Sequence, residues 1–250
     1  MVFQKFASIA AALSASGGVA ANMSRRTVRE FLKHHTRPRL PDSAPANIIT
    51  TMLRSIAPVT LALPNGRIRL EPLRPHHAEE LLRTCGDPAV WTYAVDHPTD
   101  LPSMRRFIET AMAAEAAGRE LPFAIVEPET GAVGSTRYLD IQREHAGVEV
   151  GWTFLGTRWQ RTSCNTECKL LLFRHAFATL GAERVQLKAD ARNAASLRAM
   201  ERIGAVREGT LRRHRILPDG FVRDSVYFSV IREEWPRVEA RLTAMLPGMS

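Results

Sequence analysis

Cysteine is scarce. Only Cys85, Cys164 and Cys168 occur in 250 residues, an odd set in which Cys164-x-x-x-Cys168 has no second pair. That excludes a disulfide framework and a zinc-finger pattern, and it fits a reducing, cytoplasmic compartment. Small buried apolar positions on one helix face are the plain reading for Cys168. Long hydrophobic runs are also missing, and no stretch approaches the ~20 apolar residues of a membrane span. Neither a GxGxxG nor a P-loop pattern is present, so the two common glycine-rich phosphate loops are excluded. No internal repeat or heptad run appears, and His76-His77 has no metal-ligand partner at useful spacing, so no metal is expected.

The net charge of +8 invites a nucleic-acid reading until it is divided along the chain. Residues 1 to 66 hold eight Lys/Arg against Glu30 and Asp42, which is +6 of the +8. The remainder carries 26 basic and 24 acidic side chains. A nearly neutral body lacks the field of a dedicated nucleic-acid binder, and the basic character belongs to a tail.

What is present sorts into an extension and a body. Residues 1–60 are Ala/Ser/Gly-rich to Ala21, then basic from Ser24 to Arg39, then broken by Pro38, Pro41 and Pro45. They read as a disordered or weakly structured extension. Lys5 followed by Phe6 to Ala15 hints at a signal peptide, the lack of acid before Glu30 at a transit peptide, and Met23 and Met52 at later starts.

From Arg67 strands and helices alternate with clear punctuation. Asn65-Gly66 turns, Ile68 to Leu73 alternates as a strand, and Pro75 opens a helix to about Cys85. A second helix is expected from Leu101 to Ala117. Pro122 to Glu127 and Ala132 to Ile141 form a hairpin about Pro128-Glu-Thr-Gly131. In the next strand Val148, Val150, Trp152 and Phe154 alternate, which predicts that all four face one side. A polar loop, Gly156 to Thr162, leads to a helix from about Asn165 to Leu180 closed by Gly181. Glu183 to Asp190 is a strand, and Asn193 caps a short helix ended by Gly204. Two strands, Ala205 to Leu217 and Phe221 to Ile231, flank Pro218-Asp219-Gly220. A last helix contains Trp235.

A strand, polar loop and helix in succession put free backbone N–H groups and a helix's positive end at the loop. Gln160, Arg161, Thr162, Ser163, Cys164, Asn165 and Thr166 supply donors and one cation there, and phosphate can bind at such a place. The alternative is ordinary helix capping.

Several motifs in fixed order add to this. Glu149-Val-Gly-Trp152 precedes the Gln160 to Asn165 loop, and Glu167 lies early in the helix. Downstream come Asn193, Ser196, Gly204, Glu208-Gly209, Asp224, Tyr227 and Trp235. In this order they resemble the RimJ/RimL-like branch of the GNAT superfamily of N-acetyltransferases, most strongly over residues 147 to 235. Ser163 and Asn165 stand where that pattern has small glycine or alanine residues.

The resemblance implies an α/β (α+β) fold with a mixed, mostly antiparallel sheet of about six to seven strands flanked by helices, a splayed strand pair holding the cofactor. The domain would span residues 66–235, with 236–250 a C-terminal helix and tail. It implies acetyl-CoA as co-substrate and a protein N-terminus or small-molecule amine as acceptor. Cofactor contacts are expected from Trp152, Phe154, residues 160 to 166, Asn193 and Ser196. Glu149, eleven residues before Gln160, is the candidate base, its plainer role being a strand glutamate paired with an arginine. Ser196 is expected near the thiolate and Tyr227 as its proton donor. A homodimer is compatible with the reading. The competing hypothesis is a catalytically weak GNAT-like binding module whose basic tail docks on RNA, ribosome or membrane.

Overall fold

The structure is a computed structural model in which residues 52–247 are described. The expectations for residues 1–51 and 248–250 lie outside them. Eight strands follow in chain order: β1 (Leu61–Ala62), β2 (Arg69–Pro72), β3 (Leu121–Glu127), β4 (Gly131–Gln142), β5 (Gly147–Leu155), β6 (Arg184–Asp190), β7 (Val206–Ile216) and β8 (Val222–Ile231). They make one sheet in the order β1-β2-β3-β4-β5-β6-β8-β7. All neighbours are antiparallel except β5 and β6, which run parallel. The expected mixed sheet is found with one strand more than predicted, because the two residues of β1 are too few to carry a periodicity.

Among the described residues five α-helices flank the sheet: α1 (Ala78–Cys85), α2 (Leu101–Ala116), α3 (Cys164–Arg174), α4 (Ala194–Arg202) and α5 (Trp235–Ala244). Helix starts follow the sequence signals. Asp100 accepts from Ser103 N at 2.7 Å while the Ser103 hydroxyl accepts from Asp100 N, a reciprocal cap over α2. Asn193 accepts from Ser196 N at 3.0 Å at the head of α4. A π-helical turn, His175–Leu180, continues α3 and ends at Gly181, whose φ of 74° suits glycine. On one face of the sheet α1 and α2 bury Leu81, Met104, Phe107 and Ile108. On the other, α3 and α5 bury Leu170, Phe173, Val238 and Leu242, and Trp235 stacks on Phe177 at 5.2 Å. The terminal helix is therefore part of the main core rather than an appendage after residue 235.

The other expected boundary also shifts. Leu53 is 5% exposed and joins the core, with Ile56 and Val59 packed against it. Leu53 N donates to Arg143 O at 3.0 Å and Arg54 N to Leu180 O at 2.8 Å. Residues 53 to 60 thus belong to the folded body, although they lack the alternation that would announce them.

Glu167, in the first turn of α3, joins that helix to the start of β2. Its carboxylate accepts from the backbone N–H groups of Arg67 at 3.2 Å and Ile68 at 3.3 Å. The Asn65-Gly66 turn has to pass close by, and a Cβ on Gly66 would sit 2.2 Å from Glu167 Oε1. Here glycine is required by a side chain a hundred residues away.

Three imidazoles make stability depend on pH. Burial lowers the pKa of His77, His175 and the half-buried His214 below the usual 6.5. The unfolded chain takes up these protons before the folded chain does, so this contribution is complete above about pH 6.5 and is lost as pH falls through the depressed folded values. The Glu167 carboxyl, raised by burial, works in the opposite sense nearer the carboxylate range. The thermal midpoint, followed by circular dichroism, is expected to fall between pH 7 and pH 5.5. His175→Gln should flatten that slope, and an equally steep slope in the variant would contradict the assignment.

Candidate active site

Strands β5 and β6 pair only over Gly147 to Glu149 against Arg184 to Gln186. Beyond Glu149 the two strands part, and among the described residues the β5 edge from Val150 to Leu155 has no ladder partner on that side. A wedge opens in the middle of the sheet, its backbone groups available to a guest. At the same place the register against β4 slips: Arg137 faces Gly151 but Ser135 faces Phe154, one extra residue on β5. The extra residue is a bulge at Trp152, whose φ is 49°.

The bulge overturns the expectation that Val148, Val150, Trp152 and Phe154 share a face. Val148 and Val150 lie in the α3/α5 core, whereas Trp152 and Phe154 pack against the α1/α2 core. Phe154 sits 4.5 Å from Trp91, ring to ring. An insertion of one residue reverses every later side chain. What β5 offers the wedge from this stretch is therefore its backbone edge, with these two rings anchored behind it.

The loop before α3 follows the parting strands. Gln160 Nε2 donates to Leu155 O at 3.0 Å, the Thr162 hydroxyl donates to Trp159 O at 2.8 Å, and that hydroxyl accepts from Cys164 N at 3.2 Å. Thr166 accepts from Arg202 at 3.1 Å, linking α3 to α4. These side chains build the loop. Cys164 is buried and burial pushes its thiol far up, so it is an inert apolar residue. Among the described residues, the backbone N–H groups of Arg161, Thr162, Ser163, Asn165 and Thr166 have no hydrogen-bond partner. Together with the helix dipole they suit an anion. Arg67 and Arg158 line a cavity of about 140 Å³ beside Thr162 and Ser163, with Glu127 also on its wall. Ser163 has φ −68° and needs no glycine; the positive φ, 59°, falls on exposed Arg161.

Where the pairing of β5 and β6 ends lies a charged cluster. Glu149 is 1% exposed, and its Oε2 accepts from Gln186 at 2.8 Å and from Lys188 at 2.9 Å. The anticipated pairing partner is thus a lysine rather than an arginine. Lys188 Nζ lies 5.8 Å from the centre of the Tyr227 ring. The Tyr227 hydroxyl is 3.4 Å from His214 Nε2, and His214 Nδ1 is 3.0 Å from the Ser225 hydroxyl. Burial, then the Glu149 charge, raise the Tyr227 pKa, so the phenol keeps its proton at neutral pH. Asp190, at the end of β6, is held low by the Arg192 guanidinium, which outweighs its burial.

Glu149 and Tyr227 are therefore joined through Lys188. Asn193 and half-buried Ser196 stand at the head of α4, just after β6. Lys188, Gln186 and His214 were missed because polar residues alternating on a strand look solvated. Their only signal was the shared phase of Gln186 and Lys188 on β6. Asp224 accepts from Arg213 N at 2.6 Å and braces a β7 irregularity where Arg213 has φ 51°.

The histidine pair also has a neighbour that the sequence order concealed. Glu71, His76 and His77 place ligand-type atoms within 4.8 Å of one another. His77 Nδ1 accepts from Arg74 N at 3.0 Å, which puts the imidazole proton on Nε2, 3.6 Å from Glu71. Arg69 bonds the same carboxylate. Glu71 is thus hydrogen-bonded to Arg69 and faces the His77 imidazole at ion-pair distance.

Comparison with known proteins agrees with this geometry. Residues 67–206 match the family described as acetyltransferase (GNAT) domain. A chain from T. thermophilus, provisionally described as an acetyltransferase, is 39% identical with a TM-score of 0.70, over 77% of this chain and 100% of that one. Uncharacterized N-acetyltransferase p20 of Bacillus licheniformis is 25% identical over 68% of this chain and 95% of its own length. Mycobacterium smegmatis RimJ, solved with CoA-disulfide, shares the fold at 22% identity and a TM-score of 0.65, over 75% and 94% of the two chains. No described helix is long and apolar enough to cross a membrane. With its parted strands, its phosphate-ready helix start and a family match over more than half its length, the chain belongs to the GNAT acetyltransferases and is an acetyl-CoA-dependent N-acetyltransferase.

Proposed function

We propose that this enzyme acetylates a primary amine, of a protein N-terminus or a small molecule, in the manner of the RimJ/RimL branch. The observation that carries the reading is the parting of β5 and β6 beside five unpartnered N–H groups at the head of α3. The N–H groups of Arg161, Thr162, Ser163, Asn165 and Thr166 hold the pyrophosphate, Asn193 and Ser196 border the pantetheine arm, and the β5 edge faces the thioester. Bound acetyl-CoA supplies the activated acetyl group. The chain's own task is then positioning and proton management.

The amine must lose a proton and the departing thiolate must gain one. Glu149 takes the first through water, its carboxylate oriented by Gln186 and Lys188. Tyr227, still protonated at neutral pH, provides the second. Lys188 stands between them and steadies negative charge on either. Acceptor choice falls to the α1–α2 connection, around residues 87 to 100, and to the β7–β8 hairpin.

The cofactor half of this reading is tested by binding. Arg161→Glu reverses the charge nearest the head of α3, and CoA affinity is expected to fall about tenfold, or ~1.4 kcal/mol. Pantetheine, which lacks the pyrophosphate, should bind nearly unchanged. Calorimetric titration of both ligands decides it, and equal losses would mean that the loop does not read phosphate. Ser163→Gly with Asn165→Gly should hold or improve CoA affinity, since the phosphate contacts in this reading are backbone N–H groups and the two changes remove only side chains.

A further inference from the structure

Trp152 is a large aromatic residue in left-handed backbone, φ 49°. Such a conformation persists only where the surroundings hold it, and both faces of the sheet do so here. On the α1/α2 face the guanidinium of Arg137, from β4, lies 4.8 Å from the centre of the Trp152 ring and 4.8 Å from that of Phe107. Arg137 is 4% exposed and donates to Glu120 at 2.9 Å. Among the described residues its Nε has no partner. On the α3 face the next residue, Thr153, accepts from Lys169 Nζ at 2.9 Å and shares a 2.8 Å hydrogen bond with the Thr136 hydroxyl. Lys169 is 6% exposed, and no carboxylate among the described residues lies within ion-pair distance of it.

Two buried cations, one incompletely bonded and one without a counter-ion, are poor devices for stability. An apolar side chain of similar volume commonly serves a core as well or better. What the two share is their target, since each grips one side of the one-residue insertion in β5.

We infer that Arg137 and Lys169 are positioning residues that clamp the Trp152 bulge from opposite faces and so aim the β5 edge at the thioester. The inference rests on the acetyl-transfer reading for its purpose, but the clamp can be measured without it. Loosening the clamp lets Trp152 return toward ordinary extended backbone. The following residues would then turn over, and the open edge would move by a fraction of a residue repeat. Misplacement of about 1 Å is enough to cost ~10²-fold in rate.

The test is a double-mutant cycle in the full chain, because glycine adopts a positive φ without strain and makes the clamp dispensable. Thiol release from acetyl-CoA is followed with a Ser-initiated tripeptide and with spermidine, and CoA affinity by titration. Arg137→Met is expected to lower kcat about 10²-fold while CoA affinity stays within about threefold. In a Trp152→Gly background the same change should cost less than about threefold, whatever Trp152→Gly costs alone. An equal loss in both backgrounds, or no loss in the wild-type background, overturns the proposal. Lys169→Met should behave in the same way. Should Arg137→Met fail to fold, Arg137→Lys, which keeps the charge opposite Glu120 and gives up the flat stacking, takes its place in the cycle. Hydrogen exchange at the amides of residues 151 to 154 reads the clamp directly. Faster exchange in Arg137→Met is expected, and unchanged exchange overturns the clamp. If exchange rises but the wild-type chain releases no thiol with any amine, the acetyl-transfer reading has failed rather than the clamp.

Discussion

Glu149→Gln is expected to lower kcat about 10²-fold and to leave CoA affinity within about twofold, the range for loss of one general base. The amide keeps the shape of the carboxylate, and its oxygen still accepts from Lys188. Only basicity and charge are removed. Because Glu149 is buried and doubly bonded, a purely structural role has to be separated from a chemical one, and Lys188 provides the means. If Glu149 exists only to neutralise Lys188, the double variant Glu149→Gln with Lys188→Met should turn over as fast as Lys188→Met alone. If Glu149 accepts the proton, the double variant stays slow. Unchanged turnover of Glu149→Gln between pH 6 and pH 9 would remove it from the mechanism altogether.

The largest effect on stability is expected at Glu167. Glu167→Ala leaves the N–H groups of Arg67 and Ile68 without their acceptor. Each such group costs about 1 to 3 kcal/mol when buried. Partial access of water at Arg67 moderates the sum to about 2 to 4 kcal/mol, or roughly 5 to 12 °C in midpoint for a chain of this size. Glu167→Gln should lose much less, since an amide oxygen can accept from the same groups and burial already works against the charged form. Thermal unfolding of the three proteins compares them. Equal losses for Ala and Gln would show that charge, rather than the acceptor, is what Glu167 contributes.

The contrast between these two glutamates indicates how far residue order could be read. Both stood out by their place in an ordered set of motifs. Which one joins the helix to β2 and which one faces a lysine across the wedge depends on packing between segments far apart in the chain. Punctuation and periodicity located most of the elements because they are local: Gly181, Asn193 and the Pro218-Asp219-Gly220 turn mark the end of the α3 segment, the start of α4 and the end of β7. The same periodicity misplaced Trp152 and Phe154, since a bulge changes the phase without changing the composition. β1 and residues 53 to 60 were invisible for a related reason. They are held by partners from Arg143, Leu180 and β2, not by a pattern of their own.

The loop before α3 was legible as a sequence of donors, but with the roles distributed differently. Its hydroxyl and amide side chains are largely spent on building the turn, so the phosphate-ready groups are backbone. Buried Arg137 and Lys169 and half-buried Lys188 are the residues that composition hides most effectively, because a cation on a strand or helix reads as solvated surface until its neighbours are known.

The central claim, that this wedge transfers acetyl from acetyl-CoA to an amine, is tested most directly by thiol release from acetyl-CoA over a panel of amines. The panel comprises peptides with free N-termini, single amino acids, spermidine and an aminoglycoside, with the products weighed by mass spectrometry. Amine-dependent thiol release, matched mole for mole by an acetylated acceptor, is expected for at least one member of the panel. This activity is also expected to resist moderate salt. No amine-dependent release, together with RNA binding that is strongly salt-sensitive and lost when residues 1 to 51 are removed, would contradict that claim and leave a GNAT-shaped binding module in its place.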